Sequence, residues 1–115
     1  MALVPAILEI GTGIDLHGQD HSEAGRRALW NAVHQSSLMF LRELGPDAAA
    51  NMIVDVLLAT PDPDLIDEDK VLSVLPHGKA SLQIVKGGLE IEPRKNSGDK
   101  TIVANAAVVV RVEMS

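Results

Sequence analysis

From Met52 to Leu58 every second residue is apolar in one register, Met52, Val54, Val56 and Leu58, while Ile53, Asp55 and Leu57 occupy the other. A period of two is the mark of a two-faced strand. The same period runs from Thr101 to Glu113, with Ala104, Ala106, Val108, Val110 and Val112 on one face and Asn105, Ala107, Val109, Arg111 and Glu113 on the other. Two further apolar stretches read as strands. Ala2 to Ile10 has Pro5 near its start, where a missing N–H is tolerated. Ala80 to Ile91 is interrupted by Gly87-Gly88, a pair that marks a bulge or a bend.

Between these runs the period changes to three or four. Asp20 or Ser22 caps a helix, and Asp20-x-x-Glu23 has the form of a capping box. Trp30, Val33, Ser37, Phe40 or Leu41 and Leu44 form its apolar stripe, opposite Arg27, Asn31, His34, Gln35 and Arg42, until Gly45-Pro46 stops it. Gly25 lies inside the first turn, where it costs about 1 kcal/mol relative to Ala and so signals close packing. After Thr60-Pro61-Asp62-Pro63-Asp64 a short helix over Asp67 to Leu75 presents Val71, Leu72 and Leu75 to the core. Glu92 to Lys100 is polar and reads as a mobile hairpin loop.

The order strand, helix, strand, helix, strand, strand predicts one α+β domain over residues 1–115, a β-α-β-α-β-β chain with a four-stranded mixed sheet and both helices on one face. The second face then carries Ile7, Ile53, Leu57, Ala107 and Val109 among Glu9, Asp55, Asn105 and Arg111. It is too aliphatic to be left in water, and its charges need partners. Burial against copies of the same chain, with Arg111 paired to Asp55 or Glu9, predicts a closed homo-oligomer.

Composition narrows the partners. Only one Phe, one Trp and no Tyr occur in 115 residues, so stacking on nucleic-acid bases is not the mode of action. The net charge of −6 opposes nucleic acid and acidic membrane surfaces. With no cysteine there are no disulfides, thiolate metal sites or Cys nucleophiles. No apolar run approaches ~20 residues and no basic and apolar leader precedes the first strand, so the expected location is the cytoplasm.

The candidate chemistry gathers at Gly11-Thr12-Gly13-Ile14-Asp15-Leu16-His17-Gly18-Gln19-Asp20-His21, read as the turn between the first strand and the first helix. Gly11, Gly13 and Gly18 allow a tight turn beside a helix start that attracts anions. Asp15 and His17 offer proton carriers and, with His21 as a ligand contact, make up as an alternative three metal ligands. The third glycine of a dinucleotide fingerprint and the Lys of a P-loop are both missing. Lys86, beside Gly87-Gly88, is placed where a ligand approaches backbone. Arg26, Lys79 and Arg111 are further cations, His77 is a further proton carrier, and Asn105 is a polar contact on the open face.

Gly11-x-Gly13-x-Asp15-x-His17-Gly18 resembles the G-x-G-x-D-x-H-G signature of the Lin-type family of conserved hypothetical proteins. Gly87-Gly88-Leu89-Glu90 and Val103-Ala104-Asn105-Ala106-Ala107-Val108-Val109-Val110 resemble it too. That resemblance implies no activity. The element order, with Leu57-Leu58-Ala59-Thr60-Pro61 and Gly87-Gly88-Leu89, is also similar to that of the trimeric chorismate mutases and the YjgF-type enamine/imine deaminases. This second likeness implies a homotrimer with ligand sites in clefts between subunits. The expected function is therefore an enzyme or sensor acting on a small anionic molecule in such a cleft, with Asp15, His17 and Lys86 as candidate catalytic groups and no cofactor specified. The alternatives are a metal-binding protein using Asp15, His17 and His21, and an oligomeric scaffold without chemistry.

Overall fold

The computed structural model describes residues 2–17, 19–34, 51–75 and 79–114. The elements are β1 (Ala2–Asp15), α1 (His21–His34), β2 (Ile53–Thr60), a 3-10 turn (Pro63–Leu65), α2 (Glu68–Leu72), β3 (Lys79–Lys86), β4 (Leu89–Ile91) and β5 (Thr101–Met114). The stop at Gly45-Pro46 and the second half of the expected first-helix stripe lie outside the described residues, as do Gly18 and His77. Among the described residues no helix is long and apolar enough to cross a membrane.

The sheet is mixed, in the order β1-β5-β2-β3, with β5 antiparallel to both its neighbours and β2 parallel to β3. It has five strands rather than four, because Gly87-Gly88 does more than bend a strand. Gly87 N–H donates to the Thr60 carbonyl at 2.9 Å, and Gly88 holds φ +66°. The chain thereby steps across the end of β2, and β4 takes the place beside β5 that β2 has vacated, pairing Leu89 with Val103 and Ile91 with Thr101. No side chain fits at Gly88, since a Cβ there would overlap the Val103 carbonyl.

The strand alternation places the core where the sequence puts it. Met52, Val54, Val56 and Leu58 of the β2 segment and Ala104, Ala106, Val108, Val110 and Val112 of β5 are buried under the helices. On α1 the buried stripe is Ala24, Gly25, Ala28, Leu29 and Ala32, and Trp30 is half exposed instead of leading the apolar face. The reason lies on β1. Gly11 and Gly13 are extended strand residues, and a Cβ on either would overlap backbone of α1, at Ala28 and Ala32 for the first and at Ala24 and Ala28 for the second. Small residues on both elements let helix and strand backbones touch, so the bulky indole is turned outward. Gly25 instead makes room for the side-chain methyls of Leu58 and Val71.

These glycines also fix the parity of β1. Glu9 pairs with Val108 and Gly11 with Ala106, so Ile7 and Glu9 lie on the helix side, not on the open face. A register shift between Pro5 and Ile7 adjusts the strand upstream. Leu8, Ile10, Thr12 and Ile14 are the residues that face away from the helices. Arg111 takes Asp55, not Glu9, with Nε to Oδ2 at 2.8 Å.

The outer edge of β1 is closed at its far end by α1. Thr12 N–H donates to Asn31 Oδ1 at 3.0 Å, and Arg27 Nη1 donates to the Ile14 carbonyl at 2.6 Å. Satisfied edge groups cannot template another strand.

Candidate functional site

The carboxyl ends of the parallel strands β1, β2 and β3 meet the start of α1 at one end of the sheet. Such an end is where open α/β sheets bind ligands. Asp15 closes β1, Thr60 closes β2, Lys86 closes β3 and His21 opens α1.

His21 is buried, and its Nδ1 lies 3.2 Å from Oγ1 of the fully buried Thr60. A hydroxyl this enclosed is unsuited to attack on a substrate, so the pair braces helix to strand. Lys86 is in register with Thr60 on the adjacent strand, about 4.8 Å away across the sheet. It is exposed, and among the described residues it has no ion-pair partner. The α1 start is capped as the sequence indicates, with Glu23 N–H donating to Asp20 Oδ1 at 3.0 Å. The return bond of the box comes from elsewhere: Asp20 N–H donates to Asp15 Oδ2 at 2.9 Å.

Glu23 turns instead to a cluster of cations. Arg26 Nη2 sits 2.6 Å and Arg27 Nε 3.1 Å from Glu23 Oε1, and Lys70 of α2 reaches both Glu23 and Asp20. The Arg26 hydrogen bond is the main cause that lowers the Glu23 carboxyl from its ordinary 4.5 to about 2. The Glu23 backbone N–H and then Lys70 lower Asp20, and Asp20 in turn raises Lys70. Ser22 adds a polar link, donating to the Leu65 carbonyl and accepting from Asp67 N–H. The network locks α1, the 3-10 turn and α2 together.

At the mouth, the β1–α1 connection is strapped to the loop before β5. His17 Nδ1 is 3.1 Å from Asp99 Oδ2, Gln19 Nε2 donates to the Gly98 carbonyl at 2.7 Å, and Thr101 Oγ1 donates to the Leu16 carbonyl at 3.1 Å. The hairpin read as mobile is thus tied down at its end.

The structure therefore brings some candidates together and separates others. Asp15, His17, His21, Lys86, Gly87 and Gly88 share one end of the sheet. Gly11 and Gly13 do not line a site, because α1 backbone lies directly on them. Lys79 and Arg111 both register with Ile53 at the opposite end, about 23 Å away along β3. Arg111 is engaged there by Asp55, whose carboxyl is lowered first by Arg111 and then by the Ser81 hydroxyl. Asn105, mid-sheet on the open face, accepts from Thr12 Oγ1 at 3.1 Å. Arg26 lines a shallow hollow of ≈ 230 Å³ with Arg27 and Trp30, and its guanidinium is held by Glu23. The three supposed metal ligands turn to three different partners, Asp20, Asp99 and Thr60, and no metal-holding group of three acidic or His side chains exists among the described residues.

Sequence reasoning missed Thr60, Asp99 and Arg27. Thr60 continues the buried register of Met52 to Leu58, and a polar residue on that parity is a signal that it has a partner. Asp99 sits in a loop without periodicity and gives no such sign.

Comparison with known proteins adds lineage but no activity. Residues 5–110 match the family model described as conserved hypothetical protein (Lin0512_fam). The crystal structure of an FtsZ-like protein of unknown function from Nostoc punctiforme PCC 73102 is similar over 99% of both chains, with 36% sequence identity and a TM-score of 0.86. No curated protein matches the chain.

Proposed function

The chain belongs to the Lin0512 family of conserved hypothetical proteins, and from that premise we propose that it binds a small anionic molecule where β2, β3 and α1 converge, as a closed homo-oligomer. The observation that carries the reading is Lys86: an exposed ammonium without a partner among the described residues, one strand from the Thr60–His21 brace and beside the start of α1. A free cation next to a helix N-terminus favours a carboxylate or a phosphate. His17, exposed and within reach of Asp99, is the proton carrier at the mouth. The resemblance to trimeric chorismate mutases and YjgF-type deaminases supports three copies with the ligand near their seams. A rearrangement or proton transfer fits this set of groups better than hydrolysis, which needs an accessible nucleophile that the buried Thr60 does not supply.

A thermal-shift titration with small carboxylates, cyclic amides and inorganic phosphate tests the proposal. At least one compound is expected to raise the melting temperature of the wild type, and Lys86→Ala is expected to lose that shift while melting normally alone. If no compound shifts the protein, or if Lys86→Ala responds as the wild type does, the reading fails.

A further inference from the structure

We infer that the open face of the sheet is the surface through which copies of this chain bind one another, and that the Asp55–Arg111 pair sets their register. The inference rests on the homo-oligomer of the reading above and names its interface.

The face is continuous and aliphatic. Pairing aligns Ile14, Val103 and Leu89 in one row, then Ile10, Ala107 and Leu57 in another, with no helix over them among the described residues. Leu8 is 65% exposed, Leu89 59%, Ile10 54% and Leu57 42%. Four strand positions at ~4.8 Å spacing, two of them 14 residues long, give roughly 700 Å² in projection. That is close to the about 800 Å² that each partner contributes to a stable interface, and larger than the apolar patches most monomers leave in water.

Its polar residues are prepared for dehydration. Thr12 Oγ1 donates to Asn105 Oδ1, and Asp55 holds both Arg111 and Ser81. The Thr12 and Ser81 hydroxyls and the Asp55 carboxylate thus have partners before association. The chain carries a net −6, but on this face Asp55 and Arg111 cancel and Lys79 adds a cation beside Ile53, while Asp20, Glu23, Glu68 and Asp69 lie on the helix layer. A second copy of an acidic chain is therefore repelled from most approaches and accepted on this one. The far end of β1 is already closed by Asn31 and Arg27, so association there uses the face and not strand addition.

Light scattering on size-exclusion fractions of the full chain decides the matter. The wild type should run at a multiple of 12.2 kDa. Leu57→Glu, which puts a charge into the dry centre, should weaken self-association on the order of 100-fold and run as a single chain with an unchanged circular dichroism spectrum. Leu65→Glu, exposed on the 3-10 turn, should keep the wild-type mass. Asp55→Ala strands the Arg111 charge and should dissociate the assembly, whereas Asp55→Leu combined with Arg111→Met should restore it. Should Leu57→Glu not fold, the milder pair Ile10→Ala and Leu57→Ala carries the same expectation. A single-chain wild type, a Leu57→Glu variant of wild-type mass, or equal dissociation by Leu65→Glu would overturn the inference. So would a monomer that floats with neutral phosphatidylcholine vesicles, which would assign the face to lipid. Ligand shifts at Lys86 are read separately, so either proposal can fail alone.

Discussion

Leu57 and Leu58 are consecutive in β2, yet the first is 42% exposed and the second is fully buried. A different contrast holds where α1 crosses the neighbouring strands. On the helix side the residues of β1 and β5 shrink to Gly11, Gly13, Ala104 and Ala106, because α1 lies against them backbone to backbone. On the far side the same strands carry Leu8, Ile10, Ile14 and Val109. The larger aliphatic groups of β1 thus point away from the protomer's own core, opposite to what burial within one chain would favour. Where α1 crosses it, β1 is small inward and large outward, and the sheet is apolar on both faces.

The sharpest way to break this comparison is Gly13→Val. Its side chain has no room beneath Ala24 and Ala28, and the expected cost exceeds about 3 kcal/mol, enough to leave little folded protein in a denaturant melt. Leu58→Ala should come next, at about 2–5 kcal/mol for a buried leucine. Its neighbour Leu57→Ala should change the melt of dissociated protomers by less than about 0.5 kcal/mol, while lowering the concentration dependence of the wild-type melt.

Acid probes both faces, through Glu23 on the helix layer and Asp55 on the open one. Glu23 has its carboxyl lowered from 4.5 to about 2, so the stability it lends is complete above the higher value and is lost as pH falls towards the lower. Glu23→Gln should flatten that limb of the acid melting curve and leave the behaviour above pH ~5 nearly level with pH. A modest loss, about 1 kcal/mol, is expected from Asn31→Ala. It unties Thr12 N–H, and hydrogen exchange at that amide should quicken while exchange in β5 is preserved.

The strands were legible where a polar and an apolar face alternate cleanly, as in Met52 to Leu58 and Thr101 to Glu113. The sequence pattern ends the N-terminal strand at Ile10, because a Gly-x-Gly pair looks like a turn until it is set against Ala24, Ala28 and Ala32. Glycines two apart on a strand and alanines four apart on a helix describe one contact, and neither pattern reveals it alone. The misplaced parity of Glu9 and the outward Trp30 follow from that same contact. At the site, the Asp20 cap was readable from local spacing. The His21–Thr60 and His17–Asp99 pairs join residues 39 and 82 apart in sequence, which no local pattern carries.

Sedimentation equilibrium of the wild type at low micromolar concentration tests the outward-facing sheet most directly. The account predicts a folded assembly of several chains, three being the expected number, with no appreciable free protomer. A stable, fully folded species of 12.2 kDa would contradict it.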